Sequence, residues 1–198
     1  LDVLRVLDDA TQRELLAKLQ IDGNEFDKWD KISRNMYIPF NEGSRIISQF
    51  EGFGELKDLD WDAYKEKYDD IHRMDRILES EGDDVNRYKV VKQADVLMIF
   101  YLLSSEALVN IFERLGYDFD PEDIQNNIDY YAQITSHGST LSKLVFSWVT
   151  ARSNRDVSWE NFSEALQSDF KDVQGGTTPE GIHLGAMAGT VDIIRRCY

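Results

Sequence analysis

A single cysteine, Cys197, occurs among 198 residues, so no internal disulfide framework staples this chain, and one thiol fits a reducing compartment. Proline is nearly as scarce: Pro39, Pro121 and Pro179 are the only three, each where a helix should begin or a loop should turn. Long apolar runs are missing. The nearest approach, Ala94 to Leu103, is interrupted at Asp95 and falls far short of the about 20 residues that a membrane helix needs, so no membrane partner is expected. Positive charge is short too, with 22 lysines and arginines against 37 acidic side chains and a formal balance of −15. A field of that sign repels phosphodiester backbones and argues against nucleic acid as a partner. There is no phosphate-loop glycine pattern, no nucleophile elbow and no zinc-type cysteine spacing, so neither a cofactor nor a metal is expected. What is present, 42% hydrophobic and 12% aromatic residues, is enough to bury a core.

The chain opens at Leu1 with no readable targeting signal and closes at Cys197-Tyr198 within an apolar helical pattern. Both ends read as cut from something longer, and residues 1–198 are expected to be a single fragment. Apolar spacing at three and four residues predicts a succession of helices. The first runs from about Asp9 to Leu19 and the second from about Glu25 to Asn35. Tyr37 to Phe53 reads instead as a short hairpin, with Asn-Glu-Gly between YIPF and RIISQF. Residues 54–88 read as a long ordered loop with a turn or two of helix near Trp61 to Tyr68, and loops of that length are usually functional. Val91 to Leu103 is apolar nearly all round and predicts a buried helix. Ser104 to Leu115 restarts a helix that Gly116 closes, and Asp120-Pro121-Glu122 opens one to about Ala132. Ser139 to Ala151, Ser158 to Val173 and Pro179 to Cys197 complete an all-α array of helical hairpins with short connections and one short β-hairpin-like segment.

Three segments put polar groups where a plain helical bundle would not want them. Lys92-Gln93-Ala94-Asp95 opens the most apolar helix. A lysine, an amide and a carboxylate there cost several kcal/mol each unless paired, which Lys92 and Asp95, three apart, could do for each other. Thr135-Ser136-His137-Gly138-Ser139-Thr140-Leu141-Ser142 joins two helices. Its glycine allows close backbone approach, and the free N–H groups of the following first turn favour an anion, to which His137 could add a donor or a positive charge. The plain alternative is a turn capped by Ser139. The third, Gly175-Gly176-Thr177-Thr178-Pro179-Glu180-Gly181-Ile182-His183, leads into Leu184-Gly185-Ala186-Met187-Ala188-Gly189-Thr190. Glu180 and His183 one turn apart could hold a metal, but no third ligand follows, and small residues also serve close helix packing.

Weaker signals are Gln49-Phe50-Glu51-Gly52-Phe53, with a carboxylate between aromatic residues, and Trp61, Tyr64 and Tyr68, which could stack on a sugar but more often fill a core. His72, Arg73 and Asp75 read equally well as a salt-bridged face, and Cys197 as a buried structural thiol.

Together, KQADVLMIFYLL (92–103), TSHGSTLS (135–142) and TTPEGIHLGAMAGT (177–190) resemble the late catalytic-domain motifs of glycoside hydrolase family 65, the family of the inverting phosphorylases of trehalose, maltose and kojibiose. QFEGF (49–53) sits where the family has a similar stretch, and the likeness covers roughly residues 30–198. The resemblance implies an (α/α)6 barrel, of which this chain would supply the C-terminal part. It puts Lys92 and Gln93 in the glucose-binding subsite, with Glu180 added to the substrate-binding set, and it implies that Ser136, His137, Gly138 and Ser139 hold inorganic phosphate. Phosphate would attack the anomeric carbon while a glutamic acid protonates the leaving oxygen. That acid belongs to an upstream Asp-Glu-Tyr-His-like segment absent here, so no catalytic residue is expected in this chain, and the isolated fragment should be inactive. The implied partners are a disaccharide, trehalose favoured, and phosphate as co-substrate, with a homodimer of the full-length protein. Phosphate supply and the single thiol imply the cytoplasm. Two alternatives stand beside this: a hydrolase of the same family using water and a base such as Glu180 or Glu51, and a non-catalytic helical module.

Overall fold

The computed structural model describes residues 2–173 and 178–198. Short helix α1 (Asp2–Arg5) precedes α2 (Asp9–Leu19), whose first turn is closed by the Asp8 carboxylate accepting from the amides of Ala10 and Thr11. Next comes α3 (Gly23–Arg34), which carries the reciprocal capping box of Asp22 and Glu25. A two-stranded antiparallel hairpin follows, β1 (Phe40–Asn41) and β2 (Ile46–Ile47), with Phe40 opposite Ile47 and Asn41 opposite Ile46. These agree with the sequence reading.

Residues 54–88 agree only at the helix near Trp61 to Tyr68. They contain α4 (Trp61–Lys67) and also α5 (Met74–Ser80), and they bury a small core of their own around Leu59, Met74 and Leu78. Met74 and Leu78 are both 0% exposed, and burying each contributes about 1.5–3 kcal/mol. So few apolar anchors among so many charges leave no periodicity to read. Trp61, Tyr64 and Tyr68 belong to this unit: Trp61 and Tyr64 pack on its core, and the hydroxyls of Tyr64 and Tyr68 donate to Glu81 at 2.8 and 2.6 Å.

The main core is built by α6 (Asp95–Leu102), α7 (Ser105–Leu115), α8 (Glu122–Ile134) and α9 (Thr140–Thr150). Val96, Leu97 and Phe100 of α6 meet Leu108 and Phe112 of α7, Ile128 and Tyr131 of α8, and Val145 and Phe146 of α9. Helix α6 starts four residues later than its apolar run, at Asp95 rather than Val91, because Val91 is tied instead to the segment after α8. Its amide donates to the Ile134 carbonyl at 3.0 Å, and its carbonyl accepts from Ser136 at 2.9 Å. The opposite side of α9 packs against α10 (Arg155–Lys171) and α11 (Leu184–Cys197) through Leu144, Phe162, Ala165 and Ile193. Helix α11 also starts late, at Leu184 rather than Pro179. Thr178–Glu180 is a single 3-10 turn, and Gly181, with φ of 107°, breaks the chain direction there.

The hairpin is locked onto α8 by a polar network with no counterpart in the sequence reading. Asn127 is fully buried; its Oδ1 accepts from the Ile47 amide at 2.8 Å, and its Nδ2 donates to the carbonyls of Arg45 and Asp123 at 3.0 and 2.7 Å. Arg45 reaches both oxygens of buried Asp123 in a bidentate pair at 3.0 and 2.7 Å. The Tyr131 hydroxyl adds a bond to the Ile47 carbonyl at 2.6 Å.

Candidate active site

The short parallel pairing of Val91 with Thr135 brings together two segments about 45 residues apart in sequence. Past it lies a cleft of about 550 Å3, lined by Gln49, Phe50, Lys92, Gln93, Asp95 and Ser139; Ser136, His137 and Gly138 do not line it, and Ser136 is buried against the Val91 carbonyl. One amide ties the cleft together. The Gln93 side chain accepts from the Ser139 hydroxyl at 2.7 Å and donates to Asp95 at 2.8 Å. Asp95 is therefore satisfied by Gln93 and not by Lys92, which is exposed and forms no ion pair among the described residues.

Gln49 was singled out only as part of QFEGF, and the structure gives it a definite task. Helix α6 has no side-chain cap of its own at Ala94. Gln49 supplies one from the hairpin, its Oε1 accepting from the Val96 amide at 3.0 Å while its Nε2 donates to the Gln93 carbonyl at 3.3 Å. Glu51 lines a neighbouring depression with Tyr37 and Ser48, so it stands apart from Gln93 and Ser139.

Ser139 occupies the N-cap position of α9 but does not cap it, since its hydroxyl is directed to Gln93. The amides of Thr140 and Leu141 consequently have no acceptor among the described residues. A helix start with free N–H groups beside an exposed lysine has the donors and the dipole that favour an anion. Gly138 permits this arrangement: an added Cβ would lie 2.5 Å from the His72 carbonyl oxygen and 3.0 Å from Lys92 Cγ. The polar stretch around His72 thus forms the outer wall of the turn, a contact unreadable in sequence.

His137 takes the left-handed backbone, φ 57°, packs edge-on against Phe146, and shares a 2.9 Å hydrogen bond between Nδ1 and the Ser142 hydroxyl. Burial above all, then the charges of Lys143 and His72, pushes its pKa down to about 3. The positive charge allowed for it in the sequence reading is therefore missing at neutral pH. A neutral imidazole shapes the turn and has one ring nitrogen left to donate or accept.

The third segment is less informative. Residues 174–177 and the Glu180 side chain lie outside the described residues. Glu180 and His183 do not share an α-helix, since α11 begins only at Leu184, and His183 has its partner elsewhere. Its ring and its amide are both held by Asp169, at 2.6 and 3.0 Å. Among the described residues no cluster of three metal-ligating side chains occurs. The packing role is plain at Gly189, where an added Cβ would lie 2.6 Å from Leu144 Cδ1. Cys197 is half-buried and free, its thiol pKa raised mainly by desolvation.

The mainly α-helical fold and the cleft at Gln93 and Ser139 are those of a segment of an α-helical catalytic domain that acts on glycosides, as the comparison with known families shows. The model of the glycosyl hydrolase family 65 central catalytic domain matches residues 1–192, and the chain belongs to that family. Its fold is accordingly part of the family's (α/α)6 barrel. An uncharacterized glycosyl hydrolase of Mycobacterium tuberculosis is 54% identical over 198 residues, covering 100% of this chain and 15% of that protein. The trehalose 6-phosphate phosphorylase of Lactococcus lactis is 39% identical over 190 residues, covering 92% of this chain and 22% of the relative. A solved structure assigned as a kojibiose phosphorylase from the human microbiome superimposes with a TM-score of 0.65 at 23% identity, covering 94% of this chain and 24% of its own. The chain thus spans less than a quarter of each of these relatives.

Proposed function

We propose that these residues form the C-terminal part of the catalytic barrel of an inverting phosphorylase. It cleaves an α-glucosyl disaccharide, trehalose favoured, with inorganic phosphate to give β-glucose 1-phosphate and glucose. The observation that carries this reading is the Ser139–Gln93 hydrogen bond, which joins the sugar-binding and phosphate-binding candidates in one cleft. The trehalose skeleton in the name of the Lactococcus relative supports the choice of disaccharide.

In this mechanism Lys92 and Gln93 hold the glucosyl hydroxyls, and Ser139, oriented by Gln93, marks the border between sugar and phosphate. Phosphate sits at the start of α9, facing the Thr140 and Leu141 amides, and attacks the anomeric carbon from that side. The general acid protonates the departing oxygen from the opposite face and belongs to a segment upstream of these residues. No enzyme base is needed because phosphate is already a nucleophile. The isolated chain is expected to show no turnover. The reading also carries a cytoplasmic location, where phosphate is supplied, and a homodimer of the whole protein.

The test uses the whole polypeptide that carries these residues, incubated with trehalose, trehalose 6-phosphate, maltose or kojibiose, with and without phosphate. Phosphate-dependent β-glucose 1-phosphate identifies the phosphorylase and its disaccharide. Free glucose formed regardless of phosphate assigns a hydrolase and leaves the 135–142 turn as a structural helix start. Replacing His137 with Ala should weaken phosphate far more than disaccharide, and equal losses would count against the assigned role.

A further inference from the structure

A second cleft, of about 570 Å3, opens at the other ends of α6 and α9, where Phe100 and Trp148 meet the start of α7 and the end of α11. Ser139 precedes α9 and Arg152 follows it, so the 11-residue helix separates this cleft from the candidate active site by about 16 Å. Its lining combines apolar Ile128, Trp148 and Val149 with Arg152, Arg155 and Arg196. Three guanidiniums gathered in one cleft run against the −15 balance of the chain.

These arginines are not consumed by ion pairs. Arg152 and Arg155 have no carboxylate within 4 Å among the described residues, although Glu106 stands on the same rim. Arg196 gives its Nε to Asp192 at 3.0 Å, and Asp192 also accepts from the Tyr101 hydroxyl at 2.9 Å. The Arg196 guanidinium lies 5.4 Å over the Trp148 ring, whose other neighbour is Tyr101 at 5.1 Å. It is thereby fixed by one edge and one face, with its Nη nitrogens left for a ligand. Arg155 lies 6.0 Å from the Tyr198 ring centroid. All three guanidiniums line the same cleft as Cys197.

We propose that this cleft binds an organic phosphate monoester, with the phosphate among Arg152, Arg155 and Arg196 and the organic body against Trp148 and Val149. A dianion with three terminal oxygens answers several guanidinium forks at once, which a single carboxylate cannot. The apolar lining selects an ester over free phosphate.

Phenyl phosphate, phenol and inorganic phosphate, titrated calorimetrically into the polypeptide that carries this chain, test the assignment. Because inorganic phosphate also titrates the start of α9, the readout is the binding component that the Arg152→Gln/Arg155→Gln substitutions remove, and in that component phenyl phosphate should bind at least tenfold more tightly than either of the others. The Arg152→Gln/Arg155→Gln variant, in which both side chains are exposed and circular dichroism checks the fold, should weaken phenyl phosphate at least tenfold. Ser139→Ala, in the other cleft, should leave it unchanged, and Trp148→Phe should abolish the accompanying change in tryptophan emission. Four results would each overturn the proposal: no binding of phenyl phosphate, indifference to the arginine substitutions, loss on Ser139→Ala instead, or equal binding of inorganic phosphate in the arginine-dependent component.

Discussion

Replacing Gly138 with alanine tests the geometry of the candidate phosphate turn most directly. The new methyl group would sit 2.5 Å from the backbone carbonyl oxygen of His72 and 3.0 Å from Lys92 Cγ. The lysine stem is able to swing away, but the carbonyl is backbone and must retreat by several tenths of an ångström, or the turn must. Overpacking of this kind costs about 1–3 kcal/mol, and the whole barrel should melt lower, by less per kcal/mol than the roughly 2–4 °C of a 150–250-residue domain. The function should suffer more selectively. A displaced turn lengthens the 2.7 Å Ser139–Gln93 bond and moves the start of α9, so KM for phosphate should rise about tenfold for each 1.4 kcal/mol lost there. The disaccharide KM should change less. Gly185→Ala in α11 is the control: nothing lies within 4 Å of its added Cβ, and alanine should be neutral or stabilise the helix by about 0.5–1 kcal/mol. Differential scanning calorimetry and initial rates against phosphate decide the matter in the whole polypeptide. A Gly138→Ala protein with unchanged melting temperature and unchanged phosphate KM would refute the reasoning.

Because His137 titrates near 3 in the folded chain and near 6.5 when unfolded, the unfolded state takes up its proton first as pH falls. Stability from this residue is intact above pH 6.5 and declines toward pH 3, by about 2 kcal/mol on going from pH 7.5 to pH 5. His137→Asn, whose residue tolerates a left-handed backbone, should flatten that part of the urea-midpoint profile, and an unaltered profile would contradict the buried neutral imidazole. Asn127→Ala should destabilise the chain by about 2–4 kcal/mol by stranding the Ile47 amide and two carbonyls, and a loss below 1 kcal/mol in chemical denaturation would show the network to be dispensable. Glu81, held near 2 by Lys67 and then by Tyr68 and Tyr64, should lend the 54–88 unit stability that fades only as pH falls from about 4.5 to about 2. Amide exchange of α5 in Glu81→Gln should lose that acid dependence.

Where local physics is strong, the sequence by itself determined the outcome. Asp8, Asp22, Ser104 and Gly116 end or begin helices because their side chains or backbone satisfy orphan amides and carbonyls within a few residues. The alternation around Asn-Glu-Gly yields a hairpin for the same local reason. The polar segments 92–95 and 135–142 were legible as anomalies, since a helical bundle has no use for them. Only the tertiary structure decided what those anomalies do. Gln93 bonds Ser139 across 46 residues, Gln49 caps α6 from a hairpin 47 residues upstream, and the His72 carbonyl closes on Gly138. No periodicity encodes such contacts, because they depend on which loop ends the packed helices carry to one place. The same holds for α5, whose helix rests on two buried anchors, and for His137, whose charge is removed by a burial that no neighbouring residue announces.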